Sequence, residues 1–137
     1  MQAEAMITMD LQKVARLLQL CTANTTEGDD SELVLLDVDG TILTWNEGVQ
    51  KLKGYRSEEI IGQHFRLFYL PGDRQQRLPE KLISVAMLQG RAEHVGRRLR
   101  KDGSVFLGSI VITAIHDETK QVVGFTKLTR ELAPGIA

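Results

Sequence analysis

Apolar residues follow a helical period near the N-terminus and a strand period near the C-terminus. From about Met6 to Leu20 they recur every three or four positions, which is typical of one face of an amphipathic helix. This pattern predicts a helix whose apolar face packs on the domain's own sheet or on the same helix of a second subunit. The stripe consists of Ile7, Leu11, Val14 and Leu18, widened by Met6, Leu17 and Leu20.

The segment that follows predicts a linker and then a hairpin. Residues Cys21–Ser31 are small and polar, so the globular part is predicted to begin near Ser31. Glu32–Asp37 and Thr41–Trp45 are two apolar runs joined by Asp39-Gly40. Asp-Gly favours a tight hairpin, because both central positions of the preferred turn have positive φ.

The middle of the chain predicts short helices. Asn46 stands at an N-cap position, where its side chain accepts a backbone N–H, and Asp73 is predicted to cap a longer helix. Glycine and proline set the other boundaries. The first helix ends at Lys53, a helical turn runs from Ser57 to Gly62, the aromatic segment His64–Tyr69 stops at Pro71-Gly72, and Gly90 closes the long helix.

The last third changes to a period of two, which predicts strands. Ala92–Lys101 and Ser104–Ile115 flank a second Asp-Gly pair, and Gln121–Leu132 is a third run. Hairpins at both ends with helices between them predict an α+β fold with an antiparallel sheet, because a parallel sheet requires alternating strands and helices.

Composition limits the classes of function. The 137 residues are 42% hydrophobic, enough for one domain with a core and too few for two. A formal net charge of −1 argues against direct nucleic-acid or membrane-surface binding, and no apolar run approaches the roughly 18 residues that span a bilayer. Cys21 alone excludes an internal disulfide, and the N-terminus lacks the pattern of a signal peptide, so we expect a cytoplasmic protein.

One motif suggests catalysis. Asp37-Val38-Asp39-Gly40-Thr41 resembles the nucleophile loop of haloacid dehalogenase-type phosphohydrolases, in which Asp37 would attack phosphorus and Asp39 would act as acid and base. That family also needs a central parallel strand, a downstream lysine and a late acidic pair that holds Mg²⁺. The late acids here, Asp117-Glu118, fall in a predicted turn. The phosphohydrolase is therefore a remote alternative, and we do not expect an enzyme.

A wider resemblance covers about Ser31 to Leu132. The order and spacing of several segments are similar to those of PAS domains, the sensor modules of bacterial histidine kinases, chemoreceptors and transcription regulators. These segments are Thr44–Gly48, Gly54–Gly62, Phe68-Tyr69 before Pro71–Asp73, Arg97–Ser104 and Val123–Glu131.

The resemblance implies a five-stranded antiparallel sheet of order 2-1-5-4-3, with short helices on one face around an apolar pocket. It divides the chain into an N-terminal helix and linker over 1–30, a sensor domain over 31–132 and a tail over 133–137. The implied function is to sense a small molecule and to signal through dimer packing, within a histidine kinase or a transcription regulator. The alternative is a PAS module that dimerises without a ligand.

Partners follow from the same resemblance. We expect a homodimer through the N-terminal helix and the outer face of the sheet, since the near-continuous apolarity of Val105–Ile115 predicts that both sheet faces are covered. We expect the sequence to be a fragment of a longer protein, with an effector domain in the remainder, because Pro134-Gly135 would stop a signalling helix. Output through the N-terminal helix is the other possibility.

The known cofactor chemistries of the family were compared with these residues. Flavin light sensors carry a reactive cysteine in the segment that corresponds to Gly62–Tyr69, where this chain has Phe65, preceded by His64 in place of an asparagine. No cysteinyl-flavin adduct is expected. Common haem sensors take their axial histidine from the long helix, which has none over 73–89. His64 is left as a haem ligand or, more simply, a packed residue, and the cofactor stays unknown.

Strand alternation and the resemblance together nominate a ligand site. Arg98 would face Gly108 if the turn at Asp102-Gly103-Ser104 has three residues, whereas a two-residue turn would place Leu99 inward. An inward guanidinium would read an anion, because a buried arginine requires a carboxylate or phosphate partner; the alternative is a surface arginine. The predicted ligand-binding residues are Tyr55, His64, Phe68, Leu82, Met87, Arg98, Phe106, Gly108, Ile110, Ile112 and Phe125, with Phe65 and Tyr69 as further lining and plain core packing as the alternative.

Overall fold

The structure is a computed structural model that describes residues 2–22 and 33–132. Most of the predicted linker, the tail 133–137 and the side chains of Met6 and Ile7 lie outside the described residues. The elements are α1 (Gln2–Thr22), β1 (Leu33–Leu36), α2 (Glu47–Lys53), α3 (Ser57–Ile60), a 3-10 helix (Phe65–Phe68), α4 (Pro71–Gln75), α5 (Leu78–Gln89), β2 (Arg91–Leu99), β3 (Val105–His116) and β4 (Val122–Glu131). No helix among them is both long and apolar enough to cross a bilayer.

The sheet has four strands in the order β1-β4-β3-β2, each antiparallel to its neighbours. The predicted fifth strand, Thr41–Trp45, is wrong, although the order of the other four agrees with the prediction. Ile42 donates its N–H to the Gln63 carbonyl at 2.9 Å and accepts from the Gly62 N–H at 2.9 Å. Because these groups bond to the loop at 62–63, the segment makes only isolated bridges, one of them to β1.

Three tight turns share one backbone design. In each, a three-residue loop ends on a residue with positive φ: Gly40 at 91°, Gly103 at 88° and Lys120 at 67°. In the first turn the Asp37 carboxylate accepts the N–H groups of Asp39 and Thr41, both at 2.9 Å. Only the glycine of the Asp39-Gly40 pair is left-handed, so the expected turn with two positive φ values is wrong.

The helices begin where local chemistry requires. Asn46 caps α2 by accepting the Val49 N–H at 2.9 Å, as predicted. Asp73 does not cap the long helix, which begins at Leu78 after Arg77 adopts a left-handed φ of 60°. Pro79 explains the break, because proline fits the first turn of a helix and clashes with a carbonyl in its interior.

The two faces of the sheet carry separate apolar clusters. The inner cluster lies between the sheet and the middle helices and includes Phe65, Phe68, Ile110 and Phe125. The outer cluster consists of Leu17, Leu35, Leu43 and Ile115. On the outer face of β3, Ile115 is buried in the cluster that contains Leu17 of α1, whereas Val105 and Thr113 are exposed, so the chain's own N-terminal helix covers one end of this face.

Helix α1 packs on the sheet through part of the predicted stripe, namely Val14, Leu17 and Leu20. Leu17 is buried against the sheet beside Val14 and Cys21, whereas Leu11 is 62% exposed and Leu18 is 47% exposed. The helix can approach closely because a Cβ atom at Gly124 would lie 3.1 Å from the methyl groups of Leu17. Leu11 and Leu18, placed in the packing stripe by their seven-residue spacing, point away from this cluster.

Candidate functional site

Three basic side chains lie inside the domain, between the sheet and the helices that cover it. Lys53, Arg98 and Lys127 are each at most 1% exposed. A buried charge is costly unless it is paired. Among the residues that the structure describes, neither Arg98 nor Lys127 has a carboxylate within 4.0 Å. We call Lys53, Arg98 and Lys127 the basic cluster.

Arg98 points inward because of the turn that follows it. The turn between β2 and β3 has three residues, as the first of the two alternatives predicted, and Arg98 pairs with Phe106. The expectation that it would face Gly108 is wrong, since Gly108 pairs with Gly96. A three-residue loop over Lys101–Gly103 fixes this register, which lies two positions from the expected one.

The guanidinium of Arg98 is only partly satisfied by the protein. One terminal nitrogen donates to its neighbour's carbonyl, Arg97 O, at 2.9 Å, and the other donates to Nδ1 of His94 at 3.2 Å. The Nε–H has no hydrogen-bond partner among the described residues. Because arginine only donates, His94 accepts through Nδ1. Burial and then the charge of Arg98 lower the pKa of His94, so its ring is neutral at pH 7.

Two aromatic rings of the 3-10 helix region separate the three cations. The Arg98 guanidinium lies 4.0 Å from the centre of the Tyr69 ring, while the Lys53 ammonium lies 3.7 Å and the Lys127 ammonium 5.0 Å from the centre of Phe68. Such contacts stabilise a cation by about 1–2 kcal/mol each, less than the cost of removing it from water. The rings compensate the basic cluster in part.

Burial also changes the acidity of this interior. It lowers the pKa of Lys127 to about 8; a hydrogen bond with Lys53 opposes this change and the charge of Arg98 adds to it. Burial raises the pKa of Tyr69 to about 12, against the influence of Arg98. The Tyr69 hydroxyl therefore stays protonated at neutral pH, and it meets no hydrogen-bond partner in the described part of the chain.

Local structure fixes the two lysines. Lys127 ends on the inner face because it alternates with Phe125 and Thr129 along β4, and it donates to the Thr129 hydroxyl at 3.0 Å. Lys53 is the last residue of α2, one helical turn after the buried Val49. Its carbonyl accepts the Lys101 N–H at 2.8 Å, which ties α2 to the turn between β2 and β3.

A cleft of about 440 Å³ opens beside Arg98. Gly96 lies in its lining, and a Cβ atom there would be 2.5 Å from the His94 ring and 3.4 Å from an Arg98 terminal nitrogen. Because Gly96 has no side chain, no side-chain atom of this residue stands between the cleft and the Arg98 guanidinium. The cleft is lined by Leu70, Gly72, Asp73, Leu78, His94, Val95, Gly96 and Arg97.

Most of the predicted ligand-binding residues do meet in the interior, as core. Tyr55 packs edge-on against Phe68, with ring centres 6.1 Å apart. Gly108 is covered by Phe106 and Ile110 rather than left open. Met87 is wrong as a lining residue, being 40% exposed, because it lies 140° around α5 from the buried Leu82. The buried members are Phe68, Leu82, Arg98, Phe106, Gly108, Ile110, Ile112 and Phe125.

His64 has a structural task in this arrangement. Its Nδ1 accepts the Arg66 N–H at 3.0 Å and so caps the 3-10 helix, while its ring stacks on Phe65 at 5.1 Å. In the described part of the chain, no group of three histidine, cysteine, aspartate or glutamate side chains is placed to hold a metal ion.

Sequence reasoning missed Lys53, Lys127 and His94. The signal for Lys127 was available, since alternation from the inward Phe125 puts Lys127 and Thr129 on the same face. Lys53 follows Val49 by one helical turn, which is equally visible in the sequence. Charge alone suggested a solvated position for both residues, and that general rule failed here.

Known proteins share this fold and much of this sequence. The PAS fold family matches residues 30–129. The chain is 46% identical over 103 residues to two-component system protein A of Emericella nidulans, which covers 75% of this chain. It spans only 15% of the length of that curated relative.

Solved structures agree with the sequence match. A PAS domain from Colwellia psychrerythraea is 32% identical with a TM-score of 0.68, over 73% of this chain and 84% of that one. The PAS domain of the fruit-fly ELK potassium channel, at 21% identity and a TM-score of 0.66, covers 81% of this chain and 94% of that one, and shares the fold alone. The chain therefore belongs to the PAS family.

Proposed function

We propose that this chain is the sensory PAS domain of a two-component-type signalling protein, and that it binds a small molecule between its sheet and its helices. The relative from Emericella nidulans supports the class of protein by its name, two-component system protein A. On this proposal the domain is not an enzyme, and an effector lies in another part of a longer protein that works inside the cell. On this proposal the effector is a histidine kinase or a transcription regulator.

One observation carries the sensing role. The Arg98 Nε–H and the Tyr69 hydroxyl are both buried and have no hydrogen-bond partner among the described residues. Buried polar groups in folded proteins are nearly always satisfied, because each unmade bond costs about 1–3 kcal/mol. A ligand that accepts from these groups accounts for their retention.

Helix α1 is the proposed route of output. It packs on the outer face of the sheet through Leu17, beside Gly124 of β4, the strand whose inner face carries Lys127. A ligand that alters the twist of β3 and β4 would shift the position at which α1 packs on the sheet. Leu11 and Leu18 lie on its exposed side, which supports a homodimer formed through α1.

A second candidate is a ligand-free dimerisation module. The large side chains that fill the inner face favour it, because Phe65, Phe68 and Tyr69 already occupy the place of a ligand. On that view the cations are held by the aromatic rings alone.

Native mass spectrometry of the freshly purified protein, with a visible absorption spectrum, separates the two. A sensor is expected to carry a bound mass, lost on denaturation, on part of the population, and a dimer is expected as the main species. An unliganded mass in every charge state, with no small molecule found after denaturation, would favour the dimerisation module.

A further inference from the structure

We propose that the ligand is a small oxyanion, a carboxylate or a phosphate, held by Arg98 and Lys127 and admitted through the cleft at Gly96. This inference rests on the proposed sensing function and adds the chemical class of the ligand. It starts from the sign of the interior: the buried charged groups described here are cations, and no described carboxylate pairs with Arg98 or Lys127.

The donors on Arg98 suit an oxyanion. Its two terminal nitrogens already donate to Arg97 O and to His94, but its Nε–H is unused. Two oxygens of one anion, one accepting from Nε and the other from the adjacent terminal nitrogen, make the paired hydrogen bonds by which arginine binds carboxylate and phosphate. The Tyr69 hydroxyl, on the ring that stacks with the guanidinium, is a further donor.

Lys127 supplies a second charge from β4, with β3 between it and Arg98 on β2, and it is close enough for the charge of Arg98 to help lower its pKa. Its ammonium spends one donor on the Thr129 hydroxyl, and an ammonium has three. Lys53 lies against the same Phe68 ring. An anion between the strands and the 3-10 helix would be attracted by Arg98 and Lys127 in a medium of low dielectric constant.

The cleft provides the entrance. Gly96 lies between the cleft and the Arg98 guanidinium, and it has no side chain that would block the way. The neutral His94 ring also lines the cleft and lies beside Arg98. Asp73 also lines the cleft and raises the pKa of Arg98, against the lowering by burial. A carboxylate at the mouth of the cleft repels an anion and weakens its binding. Removing the charge of Asp73 should therefore strengthen anion binding, whereas removing the charge of Arg98 should weaken it.

The experiment titrates the purified domain with sodium phosphate or sodium malonate, with malonamide as the uncharged match for malonate and sodium chloride to hold ionic strength. Thermal unfolding and calorimetry report binding. We expect one of the anions to raise Tm by at least ~3 °C at roughly twentyfold excess over its Kd, and malonamide to leave Tm unchanged. Phosphate against malonate tells which oxyanion chemistry the site prefers.

Variants assign the effect to the site. Arg98→Met is expected to weaken anion binding at least ~30-fold, whereas Arg91→Met, on the exposed start of the same strand, leaves it unchanged. Asp73→Asn is expected to strengthen it about threefold. Asp73 is only partly buried, so Asp73→Asn keeps the test decisive if Arg98→Met fails to fold.

Two results would overturn the proposal: no anion-specific rise in Tm for the wild-type domain, or an equal rise in Arg98→Met and Arg91→Met with no effect of Asp73→Asn. A neutral co-purified ligand together with no response to anions overturns the ligand class and leaves the sensing function standing. No ligand in either experiment overturns both.

Discussion

A single residue, Lys127, shows how much of this interior is decided by position and not by residue type. Period-two alternation on β4 carries it inside with Phe125, although lysine is almost never fully buried without a partner. The inward orientation of Lys127 can therefore be read from the sequence. Its burial, however, is tolerated because Phe68 and Thr129 contact the ammonium, and these residues lie near it only after folding. The same holds for Arg98, whose inward direction depends on one turn.

The first prediction concerns Lys127 and pH. Its pKa is about 8 in the folded domain against 10.5 as the ordinary value, so between these values the unfolded chain binds more protons and stability rises with pH. Lys127→Met removes this penalty. We expect the variant to be more stable than wild type at pH 7 by on the order of 2 kcal/mol, and the difference to shrink above pH 8.

Urea unfolding of both proteins at pH 7 and at pH 10 measures this difference. Other groups that titrate in the range contribute to both proteins and largely cancel. A variant less stable than wild type at pH 7 would mean that the ammonium is a net stabilising group in the unliganded domain.

The second prediction concerns Asp37, the would-be phosphohydrolase nucleophile. Its carboxylate accepts two backbone N–H groups in the turn at Asp39-Gly40, as Asp117 does in the turn before β4. Asparagine keeps an accepting oxygen, so Asp37→Asn is expected to change the free energy of unfolding by less than ~0.5 kcal/mol, and Asp37→Ala to cost about 1 kcal/mol. Asp117→Ala is the matched control.

Denaturant unfolding gives these energies, and hydrolysis of a generic phosphomonoester with Mg²⁺ is tested beside it. Magnesium-dependent turnover that Asp37→Asn abolishes would restore the catalytic interpretation of the motif. Every strand pair that the structure describes is antiparallel, which is not the scaffold that this chemistry uses.

At the scale of elements, pattern predicted more than it did for single residues. The three long C-terminal strands and the cap of α2 came within about two residues of the structure, because alternation and capping are local. The fifth strand and the long helix from Asp73 failed for non-local or overlooked reasons. Ile42 bonds to the loop at 62–63, and Pro79 places the start of α5 at Leu78.

The third prediction tests how α1 packs on the sheet, by comparing substitutions of two adjacent leucines. Leu17 is buried on the sheet and Leu18 is exposed. Leu17→Ala is expected to destabilise the domain by about 2–4 kcal/mol, because it removes a buried side chain and leaves a cavity beside Gly124. Leu18→Ala is expected to cost less than ~0.5 kcal/mol in the monomer.

Thermal or urea unfolding at low protein concentration measures both. If α1 mediates a dimer, Leu18→Ala also raises the dimer dissociation constant in analytical ultracentrifugation. Equal costs for the two variants in the monomer would show that α1 does not pack through Leu17.

The fourth prediction concerns the junction that leads into the helices. Asn46 caps α2, whose last residue is Lys53, so this cap positions one member of the basic cluster. Asn46→Ala is expected to cost about 1 kcal/mol, whereas Asn46→Asp keeps the cap and is nearly neutral. Equilibrium unfolding of the three proteins measures these costs, and similar losses for both variants would contradict a capping role.

At the scale of the whole molecule, the net charge of −1 conceals a segregation of charge. The basic cluster lies inside, while the ion pairs that the structure describes, such as Arg16 with Glu118 and Lys101 with Glu59, lie at the surface. Composition could not reveal this, because it counts charges without placing them. The PAS resemblance supplied the order of the strands, and only the folded packing of Phe68 and Tyr69 showed the basic side chains at the proposed ligand site.

The most direct measurement follows the side-chain Nε–H resonance of Arg98 by ¹⁵N NMR while phosphate or malonate is added, with the resonance identified by its loss in Arg98→Lys. We expect a downfield shift that saturates and that exposed arginines such as Arg91 do not share. An Arg98 resonance that stays fixed, or that moves only as the exposed arginines move, would contradict the claim that this buried guanidinium binds the ligand.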